Sequence, residues 1–239
     1  MWLTSGESVM TEITAQAGFD WCLIDAEHGV NTATTIRTQL QIMQGLPTQP
    51  VLRVPTSEDW LIKQALDLGV QSLLLPMIHT GEMARKAVAA TRYPPAGVRG
   101  VGAAIARASG YNAVADYTAT AQDQLCVMLQ AESREALDNI DDIAATDGAD
   151  VIFIGPADLS ADMGYLENPN APAVTEAIEH MIARIRAAGK VAGIITLDED
   201  AFPYYRNLDV GFIGVGADVL SYAAAVRSLA ERSKAAFKG

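Results

Sequence analysis

The stretch FDWCLIDAEHGVN, residues 19–31, is almost wholly apolar from Phe19 to Ile24 and then sets down Asp25, Glu27 and His28 within four positions. A short run that is apolar on both faces reads as a strand of a covered parallel sheet, because a half-buried strand would alternate instead. Similar runs recur at PVLRV, SLLLPMI, LCVMLQ, VIFIG, VAGIITL and GFIGVG, seven in all with the first. Between them, apolar residues at helical spacing predict helices over Asp59–Leu68, Glu82–Thr91, Ser133–Ala145 and Val174–Ala188. Gly69, the Pro94–Pro95 pair and Gly189 supply stops. Such alternation builds either an open doubly wound sheet or a closed eight-stranded barrel, and the strand count favours the barrel. The missing strand would fall at Met1–Leu3, which is too short, so the natural chain is expected to begin further upstream. Residues 94–112, PPAGVRGVGAAIARASGYN, are too long and glycine-rich for an ordinary connection and are expected to form a lid or an oligomer contact.

A chain of 239 residues with 50% hydrophobic content can bury one sizeable core, so one domain over 1–239 is expected. The net charge of −12, with no local basic cluster, argues against nucleic acid and anionic membranes as partners. Cys22 and Cys126 lie inside apolar runs and read as small buried hydrophobes, which fits a reducing cytoplasm. No run approaches the ~20 apolar residues of a membrane span, and the start does not read as a signal peptide.

In parallel α/β folds ligands sit beyond the carboxyl ends of the strands. Those ends carry Asp25 to His28, Arg53, Gln130 with Glu132, Asp158, Thr196 with Asp198, and Asp218. Glu132 and Asp158 follow consecutive strands and could share a hard divalent cation such as Mg²⁺ or Mn²⁺; alternatively Glu132 caps the next helix and Asp158 closes a turn. Arg53, costly to bury alone, either binds an anionic substrate or pairs with a neighbouring acid. His28 is a general base or a hydrogen-bonded rim residue. Asp67, at a helix C-terminus where its charge is disfavoured, needs a partner, and Lys63 is the local candidate. GVRGVG lacks the context of a phosphate loop. His79 and His180 lack metal-ligand spacing, and the methionines read as core filler.

Taken together, DAEHGVN, LIKQALDLG, LLLPMI, TRYPPAGVRGVG, LQAES, FIGPADLSADMGY, AAGKVAGI and IGVGAD resemble the HpcH/HpaI aldolases over almost the whole chain. The resemblance implies a TIM (β/α)8 barrel of the phosphoenolpyruvate/pyruvate type, with its last helix exchanged between subunits of a hexamer built as a trimer of dimers. It implies a metal-dependent lyase that reversibly cleaves 4-hydroxy-2-oxo acids, such as those of aromatic catabolism, to pyruvate and an aldehyde. Glu132 and Asp158 would hold Mg²⁺ or Mn²⁺, with Co²⁺ a further candidate. His28 would be the base, Asp67 would raise its basicity, and Arg53 would stabilise the enolate. Gln130, Gly155, Pro156, Ala157, Asp158 and Ile195 would line the pyruvate site. The chain departs from the family in its shorter start and in Thr4, where glycine is usual. The aldehyde partner is not readable from these motifs.

Two rivals stand beside this reading. One is a Schiff-base aldolase using Lys63 or Lys190, although the first falls in a helix and the second in a turn feeding the start of a strand. The other is a catalytically silent protein that binds 2-oxo acids on the same fold.

Overall fold

In the computed structural model, which describes residues 1–166 and 168–237, the apolar runs become strands. They are β1 (Trp2–Leu3), β2 (Trp21–Asp25), β3 (Gln49–Arg53), β4 (Ser72–Leu75), β5 (Cys126–Ala131), β6 (Val151–Ile154), β7 (Val191–Ile195) and β8 (Phe212–Gly214). Neighbours pair in parallel and in chain order. The Trp2 N–H donates to the Gly216 carbonyl at 2.8 Å, and Trp2 forms a parallel bridge with Ala217. This seam brings the last strand against the first, giving a nearly closed (β/α)8 barrel of the TIM type. Met1–Leu3 does therefore supply the eighth strand. Two residues suffice because Trp2 and Leu3 pair with Leu23 and Ile24 on one side while Trp2 meets the seam on the other.

The helices are α1 (Ser8–Ala15), α2 (Ala33–Met43), α3 (Asp59–Asp67), α4 (Gly81–Thr91), α5 (Tyr117–Thr120), α6 (Arg134–Asp138), α7 (Ile140–Ala144), α8 (Pro156–Asp162), α9 (Pro172–Ala187), α10 (Phe202–Asn207) and α11 (Asp218–Ala236). The helix expected over Ser133–Ala145 is broken at Asn139, whose side chain donates to the Glu135 and His79 carbonyls. The segment 94–112 joins α4 to β5 and so lies at the amino ends of the strands, where it cannot be a lid over the site of its own chain. It packs on the end of α3 instead: Arg107 donates to the Leu68 carbonyl at 3.0 Å and Arg99 to Asp67 at 2.7 Å.

One hydrophobic cluster lies between the barrel and its helices, and a second fills the barrel interior. The interior holds an aromatic set in which Trp21 and Phe212 stack with centroids 4.0 Å apart, and Trp2 touches both Trp21 and Phe153. Gly214 makes room for this layer, since a Cβ there would stand 2.2 Å from the Trp2 ring.

Asp218 fixes the seam. Its carboxylate accepts hydrogen bonds from the backbone N–H and hydroxyl of both Thr4 and Ser5, at 2.6–3.2 Å. The adjoining segment is tied to the next strand, with the Val30 N–H donating to Thr4 O and the Asn31 amide donating to Leu3 O and Asp25 O. Asp218, one of the acids at the strand ends, is therefore committed to closing the barrel. Beyond it α11 leaves the body of the protein, with Val219, Leu220, Tyr222, Val226 and Leu229 exposed.

Burial works to raise the Asp218 pKa, but the four hydrogen bonds overcome it and hold the carboxyl below its ordinary value. A depressed folded pKa contributes stability that is present above the ordinary aspartate value and is lost as pH falls through the folded one. We expect Asp218→Asn to cost about 2 kcal/mol at neutral pH and to flatten the acid limb of a urea-unfolding stability profile. An unchanged profile would exclude Asp218 as the seam's anchor.

Candidate active site

The site is organised by an ion pair between adjacent strand ends. The β2–β3 register sets Asp25 opposite Arg53. Arg53 donates from Nε to Asp25 Oδ1 at 2.9 Å and from Nη2 to Oδ2 at 2.7 Å, with both residues buried. Asp25 Oδ1 also accepts the Glu27 N–H at 3.1 Å and the His28 N–H at 3.4 Å, which curls the chain after β2. Arg53 Nη1 lies 3.0 Å from Glu27 Oε2, an ion pair whose angles fall short of a hydrogen bond, so that oxygen keeps no hydrogen-bond donor. Burial acts to lower the Arg53 pKa, and the Asp25 hydrogen bond with the charges of Asp25, Glu27 and Glu132 raises it above the usual value. Of the two sequence readings of Arg53, the structure shows the internal ion pair; a guanidinium has five N–H donors, and Asp25 and Glu27 do not use them all.

Gln130 and Glu132 alternate with Ala131 at the end of β5 and so point to the same side, into the barrel mouth. Glu132 is 2% exposed. Its Oε1 accepts the Met77 N–H at 2.9 Å and its Oε2 accepts the Gln130 side-chain amide, whose own oxygen is buried without a partner among the described residues. Gly155 lies beside it because a Cβ there would stand 2.5 Å from Glu132 Oε2. Burial pushes the Glu132 carboxyl up to about 7, against the Gln130 and Met77 hydrogen bonds, and the charges of Asp158 and Glu27 push the same way as burial. Glu132 does not cap the following helix. Ser133 does, accepting the Ala136 N–H.

Asp158 sits exposed in the first turn of α8, and its carboxylate has no hydrogen bond or ion pair among the described residues. The barrel mouth thus gathers Glu27, Glu132 and Asp158, whose charges act on one another, and the Arg53 guanidinium beside the first two is already shared with Asp25. A divalent cation at Glu132 and Asp158 fits this surplus, since it would relieve the mutual repulsion and meet the unpartnered Gln130 carbonyl oxygen with its waters. Among the described residues no group of three or more His, Cys, Asp or Glu is arranged to hold a metal ion.

His28 stands on the rim with its side chain 67% exposed, and Nε2 lies 3.9 Å from Glu27 Oε2. Asp67 is not near it. It ends α3, ahead of β4, at the amino ends of the strands, and pairs with Arg99 rather than with Lys63. One chain therefore does not assemble His28 with Asp67. Lys190 donates to the Ala149 carbonyl before β7, and Lys63 lies on α3, so neither lysine faces the barrel mouth. His79 is bound to Ser133 and His180 lies on α9.

Sequence reasoning missed Met77, which is not core filler. It is half-exposed at the end of β4, has a positive φ of 59° and turns its N–H onto Glu132. A left-handed methionine has no side-chain signature. Pro156 and Ala157 at the start of α8 and Ile195 at the end of β7 border a cleft of about 490 Å³ on the same rim.

Comparison with known proteins gives the family and the fold. The family model for HpcH/HpaI aldolase/citrate lyase matches residues 1–225. The chain is 48% identical to a hydroxypyruvate/pyruvate aldolase of Agrobacterium fabrum, over 98% of this chain and 88% of that one. It is 50% identical to a 4-hydroxy-2-oxo-heptane-1,7-dioate aldolase of Salmonella arizonae, over 97% and 88%. The crystal structure of an HpcH/HpaI aldolase/citrate lyase family protein from Burkholderia cenocepacia superposes with a TM-score of 0.94 at 38% identity, covering 98% of this chain and 93% of that one. With its barrel, its motifs and nearly its whole length matched, the chain belongs to the HpcH/HpaI aldolase/citrate lyase family.

Proposed function

We propose that the protein is a divalent-metal-dependent pyruvate aldolase that reversibly cleaves 4-hydroxy-2-oxo acids to pyruvate and an aldehyde. The observation that carries this reading is the surplus of carboxylates at the barrel mouth, centred on buried Glu132, beside a guanidinium with donors to spare. The names of the two aldolase relatives and the general metal dependence of the family support it. Bound at Glu132 and Asp158, Mg²⁺ or Mn²⁺ would supply a Lewis acid for the 2-oxo acid.

The remaining chemistry falls to the chain. Gln130, the Gly155–Ala157 backbone and Ile195 orient the pyruvate half. His28, exposed on the rim, takes the proton of the 4-hydroxyl as the C3–C4 bond breaks; the bonding pair passes to C3 to give the enolate, and the aldehyde leaves. Arg53, held at fixed height by Asp25, directs its remaining N–H donors at the developing oxyanion. Protonation of the enolate carbon gives pyruvate, and synthesis runs the same steps in reverse. A catalytically silent binder would have no use for a base on the rim.

We assign Asp67 to the His28 of a second chain, because the two lie at opposite ends of one barrel. The exposed apolar side of α11, together with Val9 and Ile13 exposed on α1, supports a homo-oligomer in which α11 packs on another copy, a hexamer of three dimers by the family resemblance. A cytoplasmic location accords with the free thiols of Cys22 and Cys126. No helix among the described residues is long and apolar enough to cross a membrane.

Exhaustive chelation is expected to abolish turnover, and Mg²⁺ or Mn²⁺ to restore it; full activity after chelation would refute the metal assignment. Arg53→Lys should retain the fold by circular dichroism and lose about 10²–10³ in kcat/KM, since an ammonium cannot pair with Asp25 and still present a fork to the oxyanion. His28→Ala should slow single-turnover cleavage by roughly 10²–10⁴ while pyruvate still binds. Co-expressed His28→Ala and Asp67→Ala chains should recover activity that neither has alone, and no recovery would place the two residues' roles within separate chains.

A further inference from the structure

The segment 94–112 carries a buried arginine that the chemistry above leaves without a role. After α4 the chain turns back on that helix: the Gly97 N–H donates to the Tyr93 carbonyl at 3.1 Å, the Val98 N–H to Ala89 at 2.9 Å and the Arg99 N–H to Arg92 at 2.8 Å. Arg99 is carried inward by these bonds, and its side chain is wholly buried. The guanidinium lies over the Tyr93 ring at 4.4 Å and beside the Tyr117 ring at 5.9 Å, and the two rings meet edge to face with centroids 6.4 Å apart. Aromatic faces attract a desolvated cation, and here they restrict how the fork can turn.

This burial is costly for what it satisfies. Nε and Nη1 have no hydrogen-bond partner among the described residues, and Nη2 donates to one acceptor, Asp67 Oδ1, at 2.7 Å. Asp67 does not need that bond to be satisfied, because its side chain is 28% exposed and water would serve. An apolar residue at position 99 would fill the space between the tyrosines without leaving two donors bare. What the arginine supplies is direction. Asp67 is the last residue of α3, where the negative end of the helix dipole disfavours a carboxylate. It also lines a cleft of about 430 Å³ together with Arg37 and Lys63, either of which could draw it aside. Held through Oδ1, the carboxylate keeps Oδ2 beside Gly102, where a Cβ would stand 4.0 Å away, and that oxygen has no hydrogen bond among the described residues.

We propose that Arg99 is a positioning residue of the aldol reaction, a clamp that holds Asp67 by one oxygen so that the other meets the imidazole of His28 in a second chain. The proposal rests on the aldolase reading and on the pairing of Asp67 with that His28, and it adds the element that keeps the pair in line. Arg99, at the amino ends of the strands, touches no substrate and acts only through Asp67. The loop that holds it is then a support for the site of a neighbouring chain.

The test is a double-mutant cycle on the assembled, metal-loaded enzyme. Activity is read as cleavage of 4-hydroxy-2-oxopentanoate to pyruvate and acetaldehyde, with circular dichroism and light scattering to follow fold and assembly. Asp67→Asn and Arg99→Met are each expected to lower kcat by about tenfold to about 10²-fold, with KM nearly unchanged. In the Asp67→Asn background Arg99→Met should cost nothing further, since its effect passes through the carboxylate. Arg99→Lys, which keeps a cation between the tyrosines, serves if Arg99→Met does not assemble, and its loss should vanish in the same background. A wild-type kcat for the Arg99 variants, or losses that multiply in the double variant, overturns the clamp and leaves the Asp67 assignment standing. A wild-type kcat for Asp67→Asn overturns the pairing with His28 and the clamp with it. If the unmodified enzyme neither cleaves this acid nor joins pyruvate to other aldehydes, the aldolase reading itself falls, and the clamp falls with it.

Discussion

The buried pair of Asp25 and Arg53 is the constraint around which the site is built. An arginine at the end of a central barrel strand could not remain there without a carboxylate, because burying a lone guanidinium costs several kcal/mol. Asp25 meets that need from the neighbouring strand, and its remaining capacity gathers the Glu27 and His28 N–H groups. One side chain thus sets the height of the guanidinium, the turn that carries the imidazole and the position of the second acid. Pairing of this kind contributes little net stability, so its value lies in fixing geometry at the mouth.

Glu132 occupies the opposite condition. It is as buried as Asp25, yet its hydrogen-bond partners are a neutral amide and a backbone N–H, with no ion pair among the described residues. A carboxylate kept in that environment is poised to change protonation or to accept a metal, and the acids nearby raise the advantage of the latter. The two halves of the mouth therefore divide the work: a satisfied ion pair that holds shape, and an unsatisfied acid that holds affinity.

Much of this was legible in the sequence, for physical reasons. Strands buried on both faces stand out as apolar runs, and most polar residues that end them face the rim, so position alone picks out Asp25, Arg53, Glu132 and Asp158. What escaped depended on distance along the chain or on backbone shape. Asp218 looks like another rim acid until its four donors from Thr4 and Ser5 are seen, and those lie more than two hundred residues away. Met77 acts through its N–H, which every residue type shares. The two-residue β1 falls below any periodicity signal and exists because both of its sides are templated. The resemblance pairs Asp67 with His28, and the topology shows that one chain holds them at opposite ends of the barrel.

The seam has a further consequence for how the molecule breathes. Amide hydrogens exchange with solvent at rates set by local opening of the bonds that hold them. Here the residues from Trp2 to Ser5 are bonded on one side to Gly216 and Asp218 and on the other to the strand and loop that carry His28. Opening this segment would separate β1 from both neighbours and release the root of α11 together with the imidazole's turn. The amides of Thr4 and Ser5 therefore exchange only as often as the seam itself opens.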